Sequence, residues 1–203
     1  MRIRSLGLGL VVAALLAGAA AAQDKPAKKA KPAAMDEKAA MEAMQKAATP
    51  GEGQKKLEPL VGTFDAKVTM WMGPSKPPEE STGTSETSWV LGNRFLETKY
   101  QGTFMGQPFS GIGYTGYDNV TKKYVGTWMD TMGTGMMVST GTMTGNVMKS
   151  RAAMSDPMTG KMSHATETFT IIDNDHNKME MWQPGPDGKN VKIMEINYTR
   201  KKT

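Results

Sequence analysis

From Leu60 onward the apolar residues of this chain recur at every second position, and turn residues interrupt the runs roughly every 8–12 positions. A period of two puts one set of side chains on each side of an extended strand, so these runs read as strands with one buried face. They cover residues 61–72, 81–91, 94–102, 108–118, 123–131, 136–144, 146–154, 162–172, 178–183 and 190–200. The links between them are Gly92-Asn93, Asp118-Asn119, Gly145-Asn146, Asp156-Pro157, Asp173-Asn174-Asp175 and the stretch 184–188. Such links are turn chemistry, and they are too short for a parallel crossover of a dozen or more residues. The strands are therefore expected to run antiparallel in chain order. An open sheet of that many strands would leave two unpaired edges, which closure removes. The expected fold is all-β, an antiparallel up-and-down barrel of about 8–10 strands preceded by one short helix, with a two-sheet sandwich as the alternative.

The chain before the strands divides by composition. Arg2 and Arg4, an apolar run over 6–17 and Ala20-Ala21-Ala22 predict a secretory signal peptide over 1–22. The run is shorter than the roughly 20 residues that a spanning helix needs, so no membrane span is expected after signal removal. Residues 23–34 (QDKPAKKAKPAA) read as a disordered Lys/Ala/Pro linker. Residues 35–56 read as a short helix and its connection, with Met41, Met44 and Ala48 at helical spacing and Thr49-Pro50-Gly51 as a stop, lying against the barrel or across its mouth. The barrel domain is then 57–203. Export to the periplasm or outside the cell is expected. With no cysteine, neither a disulfide nor a lipidated N-terminal cysteine is available.

The net charge of +5 would suggest nucleic acid, but from Leu57 onward 15 Lys and Arg balance 15 Asp and Glu. The excess sits in the N-terminal segment, and no nucleic-acid partner is expected.

Gly62-Thr63-Phe64 opens the first strand, and Met194-Glu195-Ile196-Asn197-Tyr198-Thr199-Arg200 closes the last. The pair resembles lipocalin-like barrels, where a Gly-x-Trp on the first strand lies beneath an arginine from the last and seals one end. Phe64 stands in place of the tryptophan, and a guanidinium over its ring would retain a cation–π contact. Gly62, Phe64 and Arg200 are thus the expected barrel-closure set. A broader resemblance rests on TPGEGQKKLEPLVGTF, PPEESTGTSE, FMGQPFSGIGYTGYDNVTKKYVGTWMDTMGTG, SDPMTGK and GPDGKNVKIMEINYTR. Together these look like the DUF1579 family of exported bacterial proteins. That resemblance implies a calycin- or lipocalin-like fold and no established catalytic set.

The domain carries 15 of the chain's 19 methionines. Met70-x-Met72 and Met179-x-Met181 each place two thioethers on one strand face, a geometry that suits Cu(I). Methionine also fills irregular apolar space, and these residues are spread over the whole domain. His164 could be an inward haem ligand or an ordinary hydrogen-bonded histidine. Asp173-Asn174-Asp175-His176 reads as a tight turn. Asp130, in line with Trp128 and Tyr124, reads either as a cap on the turn at 133–135 or as a polar anchor at a pocket mouth. No Gly-x-Ser-x-Gly, His-Glu-x-x-His, P-loop or dinucleotide fingerprint occurs. The expectation is a non-catalytic protein, with no cofactor, that binds a small apolar molecule in the barrel cavity. Trp89, Tyr100, Tyr114, Trp128, Asp130, Met136 and Trp182 are the candidate ligand-binding residues. The alternatives are copper binding through methionine, haem binding, and a purely structural or interaction module.

Overall fold

The period-two runs form ten strands: β1 (Gly62–Met70), β2 (Glu79–Val90), β3 (Phe95–Phe104), β4 (Gln107–Asp118), β5 (Lys123–Asp130), β6 (Met137–Thr144), β7 (Val147–Asp156), β8 (Lys161–Ile171), β9 (His176–Pro184) and β10 (Asn190–Arg200). This is a computed structural model, and it describes residues 36–73, 76–185 and 187–202. The expected signal peptide and linker lie outside the described residues. Each strand pairs antiparallel with its chain neighbour, and β1 pairs with β10, so the sheet closes into a barrel with no sandwich seam. β1 stops at Met70, so the expected Met70–Met72 strand pair does not form and Met72 is exposed beyond the strand end. In β10 the register shifts between Lys192 and Met194, a bulge that turns Lys192 outward while Met194 faces in beside Met181.

Two short helices precede the barrel. α1 (Glu37–Ala48) begins at Asp36, whose side chain accepts from the Lys38 amide, and it buries none of its residues. Asn119, in the β4–β5 turn, ties its end down by donating to the carbonyls of Ala47 (3.0 Å) and Thr49 (2.7 Å). α2 (Glu52–Lys55) and a 3-10 turn (Glu58–Leu60) then cross the end of the barrel from which β1 departs. They plug it. Leu57 is buried against Leu96 and Tyr124. Buried Gln54 donates to the Tyr117 carbonyl at 2.8 Å and accepts from the Gly51 amide at 2.9 Å. Tyr124 donates to the Gly53 carbonyl at 3.0 Å, and Trp89 donates to Glu58 at 2.8 Å. The α1 anchor at the β4–β5 turn lies at this closed end, so the helix does not cross the opposite end.

Arg200 locks the seam. It is the Cα partner of Phe64 across β1–β10, and its guanidinium carbon lies 4.4 Å from the centre of the Phe64 ring. It donates to the carbonyls of Val61 (2.7 Å), Pro59 (2.8 Å) and Asn174 (2.8 Å), and it pairs with Asp175 at 3.4 Å. One side chain therefore joins the plug, the β8–β9 turn and the first strand. Gly62 makes room for it: at φ 131 only glycine is unstrained, and a Cβ there would run into Arg200 Nη1.

Charge-assisted hydrogen bonds contribute about 1.5–3 kcal/mol each when a buried partner would be orphaned, and the cation–π contact about 0.5–2 kcal/mol. Arg200 keeps some contact with solvent, which trims that sum. Arg200→Ala is expected to lower stability by roughly 2–4 kcal/mol in urea unfolding, with Arg200→Lys recovering less than half because an ammonium cannot span three carbonyls.

Candidate functional site: the barrel lumen

The register fixes which side chains enter the barrel. Phe64, Ala66, Val68 and Met70 of β1 point in, and stepping across the Cα pairs carries that face around the wall. The closed half is packed by Leu57, Leu96 and Tyr124 with Trp89, Tyr117, Met143 and Met148. Toward the opposite end the lining becomes methionine and aromatic. Met70, Phe109, Trp128, Met179, Met194 and Tyr198 gather around Ala66, Val68, Tyr100 and Ile196, while Met137, Met154 and Met181 gather around Ala152 and Ala165.

Glycine decides how the largest rings lie. Trp128 rests across Gly111 and Gly113 of the neighbouring strand, where a Cβ on Gly113 would come within 2.9 Å of the indole. Tyr100 lies in the same way over Gly102 and Gly83. The rings thus lie along the wall in place of missing side chains, the arrangement known as aromatic rescue of glycine. Trp128 is held in its plane by Nε1 donating to Asp130 at 2.9 Å, while the other Asp130 oxygen accepts from the Met132 amide at 2.9 Å. Asp130 thus caps the chain at Met132, ahead of the expected turn at 133–135, and anchors the indole.

Several polar groups also face inward. Thr87 and Thr98 share a hydrogen bond at 3.0 Å. The Tyr100 hydroxyl and the Asn177 side-chain carbonyl are buried and have no hydrogen-bond partner. Burial pushes the Glu167 carboxyl above its ordinary range, and the nearby Ser139 hydroxyl offsets this only in part. Burial likewise raises the Tyr198 hydroxyl, with Tyr100 and Glu167 adding to the effect. Glu167 and Tyr198 both lie deep among protein atoms, yet both retain accessible surface.

Of the candidate ligand-binding residues, Trp89, Tyr100, Trp128 and Asp130 lie on the inner face, Trp89 at the plugged end. Three are placed elsewhere. Tyr114 is on the outer face, donating to Glu97 at 2.8 Å. Trp182 is also outside, under the Lys192 ammonium at 5.2 Å. Met136 precedes β6 and is exposed, and Met137 is the one that enters the barrel. The physical reason is parity: these strands carry large apolar residues on both faces, and a shift of one position exchanges the faces. His164 is exposed on the outer face of β8, and His176 is exposed at the start of β9 with Nδ1 at 2.9 Å from Asp173. Neither imidazole faces the lumen. Glu167, Tyr198 and Asn177 escaped the sequence reading, because single residues flanked by polar neighbours look like an exposed strand face.

Two depressions open on the outside of the barrel. One of about 500 Å³ lies between α1 and Lys122, and one of about 270 Å³ lies beside Arg151 and His164. Neither is lined by a candidate ligand-binding residue or by Glu167, Tyr198 or Asn177. Among the described residues no cluster of three His, Cys, Asp or Glu could hold a metal ion, and no helix is long and apolar enough to cross a membrane.

A ten-stranded antiparallel barrel sealed at one end by an arginine over an aromatic ring defines the calycin-like class. The chain belongs to the DUF1579 family, described as "Protein of unknown function (DUF1579)", whose profile matches residues 49–200. Among solved structures the chain is similar to that of Rv2717c from M. tuberculosis, at 18% identity and a TM-score of 0.58, covering 76% of this chain and 100% of that one. That likeness concerns the fold. A redesigned beta barrel, b11L5F_LGL, aligns at 17% identity over 76% of this chain and 100% of its own, with a TM-score of 0.40. No curated protein matches.

The raised Glu167 carboxyl has a consequence for stability. The folded state holds this proton more tightly than the unfolded state does, so the group's contribution is most favourable below the ordinary carboxyl pKa and declines as pH rises through the raised value. Other carboxylates, such as Glu97 and Asp173, shift the opposite way and lose stability in acid. Comparison with Glu167→Gln isolates the one group. In chemical unfolding the variant is expected to be the more stable protein at pH 8, with the gap closing toward pH 4.

Proposed function

We propose that this is an exported, non-catalytic binding protein that takes a small, largely apolar molecule into the open half of its barrel. The observation that carries the reading is the Tyr100 hydroxyl, buried without a partner on an inner wall otherwise made of aromatic faces and thioethers. An orphaned buried hydroxyl costs about 1–3 kcal/mol, a cost that a ligand's hydrogen-bonding group removes. Three further features support it. A barrel of ten strands is wider than the eight-stranded kind, whose interior side chains just fill or which holds one small ligand. The Trp128 and Tyr100 rings lie along the wall over glycines. Tyr198, Glu167 and Phe169 point inward yet are only half-buried.

Tyr100→Phe separates binding from folding. It removes the orphaned hydroxyl, so the ligand-free protein is expected to gain up to about 1 kcal/mol of stability. Its affinity for hydrogen-bonding apolar ligands, measured by quenching of tryptophan fluorescence, is expected to fall about tenfold. No saturable quenching in the wild type by any of a panel of fatty acids, retinoids, steroids, amines and hydrophobic dyes would overturn the reading.

A second reading rests on a separate observation. Met70, Met194 and Met181 are direct cross-strand partners on β1, β10 and β9, which brings three inward thioethers side by side. Soft sulfur of this kind selects Cu(I). Anaerobic Cu(I) titration against a chromogenic competitor, compared with a Met194→Leu variant, tests it. A stoichiometric complex lost in the variant supports copper, and equal behaviour of the two proteins removes it.

A further inference from the structure

The charge of the inner wall has one sign. Above the Phe64 layer, the inward positions of the described strands carry Glu167 in the interior and Asp130 and Glu79 toward the end opposite the plug. The cations lie elsewhere. Lys67, Lys99, Lys149, Arg151, Lys178 and Lys192 are all on the outer face by register. Arg200 lies over Phe64 at the plugged end and is saturated by three carbonyls and Asp175. Lys161 shares the inward parity but lies exposed at the rim, opposite Asp156, whose carboxylate is taken up by the Met158 amide and the Thr159 hydroxyl.

Asp130 is already committed to Trp128 and Met132, which leaves Glu167, with only the Ser139 hydroxyl beside it, as the interior acid without a charged partner. Its cross-strand neighbours are Ser150 and Met181, and neither carries charge. A carboxyl in such a place is expensive as an unpaired anion and becomes favourable when a cation with its own hydrogen-bond donors enters. The surroundings suit that cation. The faces of Trp128 and Tyr100 attract positive charge, and Phe169, two positions along Glu167's own strand, and Tyr198 of β10, with ring centres 6.0 Å apart, extend the aromatic lining. A carboxylate ligand such as a fatty acid would meet like charge and no base.

Resting on the lumen-binding reading above, we propose that the ligand class is a lipophilic primary or secondary amine, its ammonium paired with Glu167 and its hydrocarbon body laid against Trp128, Tyr100 and the methionine thioethers. The amine distinguishes this lumen from one built for neutral or acidic lipids. The charged group fixes orientation, and the flat rings set a preference for a slender or planar body.

A matched series tests the assignment: 4-phenylbutylamine, 4-phenylbutanol and 4-phenylbutanoate, titrated by calorimetry into the purified protein at pH 7.5. The amine is expected to bind about tenfold more tightly than the alcohol and the acid most weakly. In Glu167→Gln the amine is expected to fall to the level of the alcohol, while the alcohol itself changes less than about threefold. Glu180→Gln, which removes a carboxylate from the outer face, should leave the amine preference intact and so excludes general surface attraction. Equal binding of amine and alcohol, tightest binding of the acid, or an amine preference that survives Glu167→Gln would overturn the amine assignment with lumen binding left standing. Failure of all three compounds to bind would count against lumen binding itself.

Discussion

Every other feature of this protein depends on the pairing of its first strand with its last. Seven residue pairs join β1 to β10, from Phe64 with Arg200 to Met70 with Met194, and with them the sheet has no free edge. Arg200 sits at one end of that seam, over Phe64, and holds three segments that have no other reason to meet. Without the seam there would be no inside to line and no closed end for residues 51–61 to plug.

Closure also explains an unusual composition. The 22 glycines and 19 methionines look like poor core material, since glycine has no side chain to bury and methionine is flexible. Inside a cylinder they do complementary work: glycines on one strand let the rings of the next lie along the wall, and thioethers fill the irregular space toward the mouth. The interior is therefore less completely apolar than stability alone would favour. Tyr100, Asn177 and Glu167 keep polar atoms where a folding-optimised core would place hydrocarbon.

Much of this was legible in the sequence, for definable reasons. The ten strands followed from period and turn chemistry, with ends displaced by only a few residues. The closure set was readable because Gly62, Phe64 and Arg200 mark the two ends of the domain. What could not be read was the face of each strand. Trp182 and Tyr114 looked like cavity residues by type, but Met181 and Thr115, one position away, are the ones that point inward. The bulge after Lys192 reverses parity within β10, and no residue type announces it. The plug was hidden because α2 is four residues long and is held by tertiary hydrogen bonds from Gln54 and Tyr124. Glu167 was hidden because Thr166-Glu167-Thr168 is indistinguishable in sequence from a solvated edge.

The absence of cysteine makes the closure directly measurable. Lys67 and Asn197 are Cα partners across β1 and β10, and both side chains are exposed on the outer face. Antiparallel partners lie about 4.5–5.5 Å apart, within the range a disulfide spans. In a Lys67→Cys, Asn197→Cys double variant, mild oxidation should give a single intramolecular disulfide, seen by intact mass after alkylation and by a 67–197 linked peptide after digestion. Free thiols at both positions under the same conditions, or only intermolecular dimers, would mean that the two strands are not neighbours and that the barrel is open.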